Sequence, residues 1–110
     1  MKVQAPYYAV IFTSLRTPSD EAAYAAMAAK MNELARRQPG FLGMEHARGT
    51  LGITISYWDS LASIEAWKSH PEHQLAQEEG RKTWYEWYQI RICRVDREYD
   101  FQRTASDGHQ

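Results

Sequence analysis

The chain has 110 residues, enough for one domain around one hydrophobic core and too few for a separate cofactor domain. Its 44% hydrophobic and 25% charged residues match a folded domain rather than a disordered chain. With 13 basic and 14 acidic residues, the net charge of -1 offers no broad attraction for nucleic acid or an anionic membrane. No apolar stretch approaches the roughly 20 residues that span a bilayer, so we expect neither a nucleic-acid nor a membrane partner.

Cysteine content and the N-terminus indicate a cytoplasmic protein. The single cysteine, Cys93, excludes an internal disulfide, and residues 1–6 lack the apolar run of a signal peptide. Aromatic residues are the one excess, at 13% of the chain, most of them Trp and Tyr.

The first half of the chain predicts a strand, a helix and a hairpin. Residues 7–14 form a β-branched and aromatic run typical of a strand. Thr17 and Pro18 then supply a capping hydroxyl and a first-turn proline, which begin a helix over about 19–38 that ends at Pro39 and Gly40. Runs 41–48 and 52–58 are two further strands, joined by a glycine-containing turn.

The second half predicts two short helical segments and a last strand. A cap at Ser60 begins a helix that carries Trp67, and a second cap, proline and acid pattern restarts a helix after a break at 68–71. Proline fits the first turn whether Ser69 or His70 is the cap, so both alternatives remain open. Residues 87–101 predict a long fourth strand, with Ile90 and Ile92 facing one side and Arg91 and Cys93 the other.

This order, β-α-β-β-α-β, predicts an α+β fold of the ferredoxin-like type, with two helices on one face of an antiparallel sheet. Both alternating sets of side chains in strand 7–14 are apolar, so the other face also needs a cover. A second copy is the natural one, which predicts a homodimer in which two sheets form a dimeric α+β barrel. We expect a single domain over 1–103 and a flexible tail over 104–110.

Four segments resemble the antibiotic biosynthesis monooxygenase (ABM) domain family of the dimeric α+β barrel superfamily. They are the opening strand YYAVIFTS, the junction QPGFLG at 38–43, the passage ISYWDS at 55–60, and AWKSHPEH at 66–73. The resemblance covers about residues 7–101. It implies the barrel fold, whereas its members include cofactor-independent oxygenases of quinol-like polyketides, haem-degrading enzymes and proteins without an established reaction.

The catalytic patterns of this family are present only in part. Trp67 matches the tryptophan that lies over the pocket in both enzyme groups. The axial histidine of the haem-degrading relatives falls on Gln77, and their first-strand asparagine has no counterpart. Where the polyketide oxygenases carry an asparagine and a tyrosine around the tryptophan, this chain has Ser63 and about His73.

Oxygenation without a cofactor needs an aromatic pocket, a base for a phenolic proton and donors for the resulting anion. We therefore expect Trp67 and His73 to be catalytic, with Trp67 against the substrate ring and His73 as proton acceptor. Arg91 and Ser56 would orient oxygen substituents. The predicted substrate-binding set comprises Ser56, Trp58, Arg91, His46 and Trp84. Each aromatic has an alternative role in the core or the dimer interface.

Two further interpretations concern the histidines at 70 and 73 and the side chains of the fourth strand. His70 and His73 share one side of a helix and could hold a metal with His46 or Glu45, but no third ligand has a fixed spacing, so no metal site is expected. If the isoleucines pack under the helices, Arg91 and Cys93 face the barrel interior. A buried Arg91 would then need an anionic partner such as Glu45, a carboxylate of the second copy or a substrate oxyanion, and Cys93 would be an inert core thiol.

The preferred hypothesis is a homodimeric, cofactor-independent monooxygenase that oxidises a small aromatic or quinol-like compound with O₂. No cofactor is expected. The alternative is a non-catalytic small-molecule-binding or stress-associated barrel protein, which the missing asparagine and tyrosine favour. Haem binding or degradation is a third interpretation, against which Gln77 argues.

Overall fold

A computed structural model describes residues 4–104. The strands are β1 (Tyr7–Arg16), β2 (Phe41–Arg48), β3 (Gly52–Trp58) and β4 (Tyr85–Val95). The helices are α1 (Glu21–Arg36), α2 (Leu61–Lys68) and α3 (Pro71–Glu79), and a π-helical turn, Gly80–Trp84, leads into β4. The strands form one antiparallel sheet in the order β2-β3-β1-β4. This confirms the ferredoxin-like α+β prediction, with the second helical region divided into α2 and α3.

Helix α1 begins and ends at residues with clear local causes. The Asp20 carboxylate accepts a hydrogen bond from the backbone N–H of Ala23 at 3.1 Å, which caps the first turn. After the helix, Gly40 has φ +86°, a left-handed conformation that favours glycine. A Cβ on Gly40 would collide with the side chains of Ser63 and Asp59. Glycine therefore allows α2 to pack closely against the junction between α1 and β2.

The break between α2 and α3 is set by two side-chain caps. Ser60 Oγ accepts from the backbone N–H of Ser63 at 3.1 Å and begins α2. His70 Nδ1 accepts from the backbone N–H of Glu72 at 3.1 Å and begins α3, with Pro71 in the first turn. Of the two alternatives that the sequence left open, His70 is the cap.

The strand register assigns each residue to one of two sheet faces. Val10 pairs with Ser56 on one side and Ile92 on the other, and Tyr8 pairs with Trp58. Since paired residues point the same way and Trp58 packs against α2, this is the helix face. The opposite face, here called the open face, carries Ala9, Ile11, Ile53, Ile55, Tyr57, Trp87, Arg91 and Cys93.

The core centres on Trp58, whose side chain is completely buried. The Phe41 ring meets it edge-on at 5.4 Å between centroids, and the Trp67 ring lies 6.5 Å away and 24° from parallel. Ile64 of α2 and Ala35 of α1 are also buried. The core thus joins the helices to the Trp58 end of the sheet.

Strand β4 differs from the prediction. It starts at Tyr85 because β1 continues to Arg16 and offers pairing partners there, and it ends at Val95, opposite Tyr7. Beyond Tyr7, Pro6 has no N–H to continue the ladder, so the predicted extension to residue 101 does not form. The predicted tail lies, except for Thr104, outside the described residues.

The isoleucines of β4 are not packed under the helices. Ile90 and Ile92 share one face, opposite to Arg91, as the alternation predicted. The register makes this the helix face, but the two side chains are 41% and 53% exposed. Strand β4 is an edge strand of the sheet, and the helices do not bury these two side chains.

Candidate functional site

The strongest arrangement of predicted site residues is the contact between Trp67 on α2 and His73 on α3. Their rings stack with centroids 4.5 Å apart and planes 10° from parallel. His73 Nδ1 lies 3.1 Å from the Trp67 carbonyl oxygen. The helix break at His70 brings the two residues together, because it places the first turn of α3 against the last turn of α2.

This contact determines the tautomer of His73. A carbonyl oxygen only accepts, so Nδ1 carries the proton and Nε2 has the free lone pair. Burial lowers the pKa of His73 from its ordinary value; the bond to the Trp67 carbonyl opposes this and the charge of His70 adds to it. The ring is therefore neutral near pH 7 and able to accept a proton at Nε2.

Trp58 and Ser56 lie on the helix face of β3, beside Trp67. The Trp58 indole Nε1–H donates to Ser56 Oγ at 2.9 Å, so this hydroxyl satisfies the buried N–H. The Ser56 hydroxyl proton is then directed away from the indole. Four predicted site residues are thus brought to one end of the helix face: Trp67, His73, Trp58 and Ser56.

The surroundings of Trp67 limit what its ring can do. Besides His73 and Trp58, the His70 ring lies 5.4 Å from it at a tilt of 50°. The sequence predicted that Trp67 lies against the substrate ring. These three ring contacts leave only part of the indole surface for such a contact. At the position matching the family's asparagine, the Ser63 hydroxyl donates to Asp59 Oδ1 at 2.7 Å, so its proton is already engaged within the chain.

Three other predicted residues lie away from this group. Arg91 is on the open face, opposite to Ser56, so the two cannot act together within one subunit. It is exposed and donates to Gln89 Oε1 at 2.8 Å, which corrects the expectation of a buried arginine that needs an anionic partner. His46 is on the helix face but exposed. Trp84 is buried near the opposite end of the sheet, against Tyr24.

Cys93 is exposed on the open face, so the prediction of a core thiol is wrong for the isolated chain. Across residues 4–104, no group of three or more His, Cys, Asp or Glu side chains is arranged to hold a metal ion. Over the same range, no helix has the length and apolar composition needed to cross a membrane.

The structure also contains a group that sequence reasoning missed, the Tyr24 cluster, made up of Tyr24, Arg16, Arg48 and Tyr85. The Arg16 guanidinium carbon lies 3.4 Å from the Tyr24 ring centroid. Tyr24 Oη accepts from Arg48 Nη2 and from Tyr85 Oη, both at 3.2 Å. Nothing in the sequence near Tyr24 indicates that arginines from the ends of two strands contact it.

Opposing effects act on the Tyr24 hydroxyl. Burial works to raise its pKa, but the hydrogen bonds from Tyr85 and Arg48 and the charges of Arg48 and Arg16 outweigh burial, and the pKa is lowered. The pKa of Tyr85 is raised by burial and by its bond to Tyr24. The hydroxyl of Tyr24 is thus the more acidic of the two.

Comparisons with known proteins agree with this fold. Residues 6–79 match the family described as antibiotic biosynthesis monooxygenase. The uncharacterized protein YqjZ of Bacillus subtilis is 48% identical over 106 residues, which cover 94% of this chain and 92% of YqjZ. The chain therefore belongs to the ABM family.

Solved structures share the architecture at low sequence identity. A variant of SnoaB, a cofactor-independent oxygenase from Streptomyces nogalater, superposes with a TM-score of 0.69 at 13% identity, over 92% of this chain and 98% of SnoaB. Protein SO0527 of Shewanella oneidensis gives a TM-score of 0.73 at 12% identity, over 86% of this chain and 95% of its own. At these identities the likeness concerns the fold.

Proposed function

We propose that this ABM protein is a cofactor-independent monooxygenase that binds a small phenolic or quinol-like compound between the helices and the sheet. The observation that carries the proposal is the neutral His73, whose Nδ1–H is held by the Trp67 carbonyl while Nε2 is free to accept a proton. Membership of the family and the architecture shared with SnoaB support it.

In the proposed reaction, His73 Nε2 takes the phenolic proton, and the resulting anion is electron-rich enough to reduce O₂. For a substrate with a CH₂ group activated by the ring, one oxygen atom becomes the carbonyl oxygen and the other leaves as water. The two hydrogens of the CH₂ end in that water, so CH₂ plus O₂ gives C=O plus H₂O. The apolar surroundings of Trp58 keep bulk water from the anion.

Trp67 acts in this proposal mainly by positioning His73. Its carbonyl fixes the tautomer and its indole fixes the ring plane. The Ser56 hydroxyl, which accepts from Trp58, supplies a donor toward a substrate oxygen. Arg91 has no part in the proposal because it lies on the other face of the sheet.

The test is oxygen uptake by the purified, metal-stripped protein with a panel of quinols and anthrone-like phenols. We expect uptake of one O₂ per product, with ¹⁸O from ¹⁸O₂ in the carbonyl, and a loss of about 10²-fold or more in kcat for His73→Asn, the usual range for removing a general base. Gln74→Ala, on the exposed side of the same helix, is the control. Equal uptake by His73→Asn and the control would refute the assignment of the base.

A non-catalytic small-molecule-binding protein is the second candidate. Two observations favour it: the Trp67 ring already contacts three other rings, and the Ser63 hydroxyl is engaged with Asp59. If panel compounds quench tryptophan fluorescence but consume no oxygen, this candidate replaces the first.

We also propose that the open face is covered by a second copy of the chain. Ile53 and Trp87 lie toward one end of this face with 39% and 44% of their surfaces exposed, and Cys93 is exposed nearer the other end, opposite Ala9. An antiparallel sheet commonly covers only one face with helices of the same chain, and apolar side chains on the other face favour a partner.

A further inference from the structure

The Tyr24 cluster holds two guanidinium groups around one phenol. The Arg16 side chain is 11% exposed, and its Nε donates to the Trp84 carbonyl at 3.1 Å. Its Nη1 and Nη2 are buried without a hydrogen-bond acceptor in the described chain. Arg16 Nη2 lies 3.5 Å from Glu21 Oε2, but this carboxylate is 79% exposed, so solvent weakens the pair. The Glu21 carboxylate therefore compensates the positive charge of Arg16 only in part.

Two hydrogen-bond donors of the cluster are available to a ligand. Arg48 is exposed and uses Nη2 on Tyr24, which leaves further guanidinium N–H groups at the surface. Tyr24 Oη accepts from both Arg48 and Tyr85, so its own O–H is free to donate. The two donors lie side by side, which suits the two oxygens of a carboxylate.

An apolar shelf adjoins these donors on the helix face; it is formed by Phe12, Tyr85, Tyr88 and Ile90. The Phe12 and Tyr88 rings stack 5.2 Å apart at 26°, and the Tyr85 ring meets Phe12 edge-on at 5.4 Å and Tyr24 at 5.9 Å. Ile90 extends the shelf with 41% of its surface exposed. The shelf is therefore aromatic, accessible to solvent at Ile90, and continuous with the charged cluster.

The cluster is distinct from the Trp67 and His73 pair. Along β1, Tyr8 pairs with Trp58 at one end and Ser14 with Gly52 near the other, six residues away. At roughly 3.3 Å per residue, the two ends of the face are about 20 Å apart. The charged groups of the cluster, Arg16 and Arg48, therefore lie toward the end of the face away from Trp58.

We propose that the Tyr24 cluster and the apolar shelf form a second binding site, for a small aromatic carboxylate. The carboxylate accepts from the Arg48 guanidinium and the Tyr24 hydroxyl, Arg16 supplies a buried compensating charge beneath the Tyr24 ring, and the aromatic body lies on Phe12 and Tyr85. The site does not depend on the proposed oxygenation.

The test uses 2-naphthoate and its neutral analogue 2-naphthalenemethanol, titrated calorimetrically into the full chain. We expect the wild type to bind 2-naphthoate about tenfold or more tightly than the alcohol, since a charged, bidentate contact is present only with the carboxylate. Arg48→Met abolishes this preference and Tyr24→Phe reduces it, while the affinity for the alcohol changes little. Raising the salt concentration weakens the binding of 2-naphthoate but not that of the alcohol.

Arg94→Met is the matched control, because Arg94 is a 60% exposed arginine on the same face that pairs with Tyr8 at the far end. It keeps the preference for the carboxylate. Thermal melting checks folding, and Arg48→Gln, which removes the charge but keeps a polar side chain, replaces Arg48→Met if that variant does not fold. The proposal is overturned if the wild type binds neither compound, binds both equally, or keeps its preference after Arg48 is replaced.

Discussion

The imidazole of His73 lies parallel to the indole of Trp67, 4.5 Å away, and is tied by Nδ1 to the carbonyl oxygen of that same tryptophan. One residue thus determines the plane and the tautomer of the histidine and covers one face of its ring. The contact that holds α2 against α3 is therefore also the contact that orients the proposed base.

Because Trp67 contributes to the burial of His73, its removal should change the titration of the histidine. We expect Trp67→Ala to raise the pKa of His73 toward its ordinary value of 6.5, since desolvation is the largest cause of the lowered value. NMR titration of the imidazole measures this, with Leu61→Ala, at an exposed position on α2, as the control. An unchanged pKa in Trp67→Ala would show that other groups bury His73.

Acid should destabilise the fold through His73. Its folded pKa lies below the unfolded one, so on acidification the unfolded chain takes up the proton first, and the free energy of unfolding falls as pH drops below about 6.5. His73→Asn cannot titrate and should flatten this dependence. Urea unfolding between pH 5 and 8 at a fixed protein concentration measures it. Gln74→Asn, at an exposed position on the same helix, should leave the slope as it is; the same slope in both variants would contradict the prediction.

Replacing Gly40 should be costly. Gly40→Ala combines a left-handed backbone with a collision of the new Cβ against Ser63 and Asp59, so we expect a loss of about 2 to 4 kcal/mol. Gly49→Ala is the matched control, because a Cβ at Gly49 meets nothing within 4 Å. Denaturant unfolding compares the two variants. A similar small effect for both would mean that α2 is not closely packed on the junction.

Removing the Ser56 hydroxyl should leave the buried Trp58 N–H without its acceptor. Ser56→Ala should then cost about 1 to 3 kcal/mol, the usual penalty for an unsatisfied buried donor. Denaturant unfolding gives the magnitude, and Ser69→Ala at an exposed position is the control. A loss no larger than that of the control would show that another group accepts from the indole.

The proposed homodimer can be tested from the two sides of the sheet. Ile53→Lys places a charge on the open face and should yield monomers, because an unpaired charge in an apolar interface is costly. Ile92→Lys, an exposed residue on the helix face, should leave the dimer intact. Sedimentation velocity over a range of concentrations distinguishes these results. A wild type that sediments as a monomer throughout would exclude the proposed assembly.

Local patterns in the sequence determined most of the architecture. The β-branched run at the start, the caps at Ser60 and before Pro71, and the glycine at position 40 act within a few residues, so they predicted element types and order correctly. They also predicted the boundaries of β2 and β3. The end of β4 was wrong because a strand continues only while its partner does, and β1 begins at Tyr7.

Only the tertiary structure decided which candidate residues meet. Trp67 and His73 come together through a helix break whose cap the sequence left open, and Arg91 is separated from Ser56 by a register that alternation alone does not define. The Tyr24 cluster depends on contacts between α1, the ends of β1 and β2, and the start of β4. Such contacts join positions up to 61 residues apart, whereas capping and periodicity act over single turns.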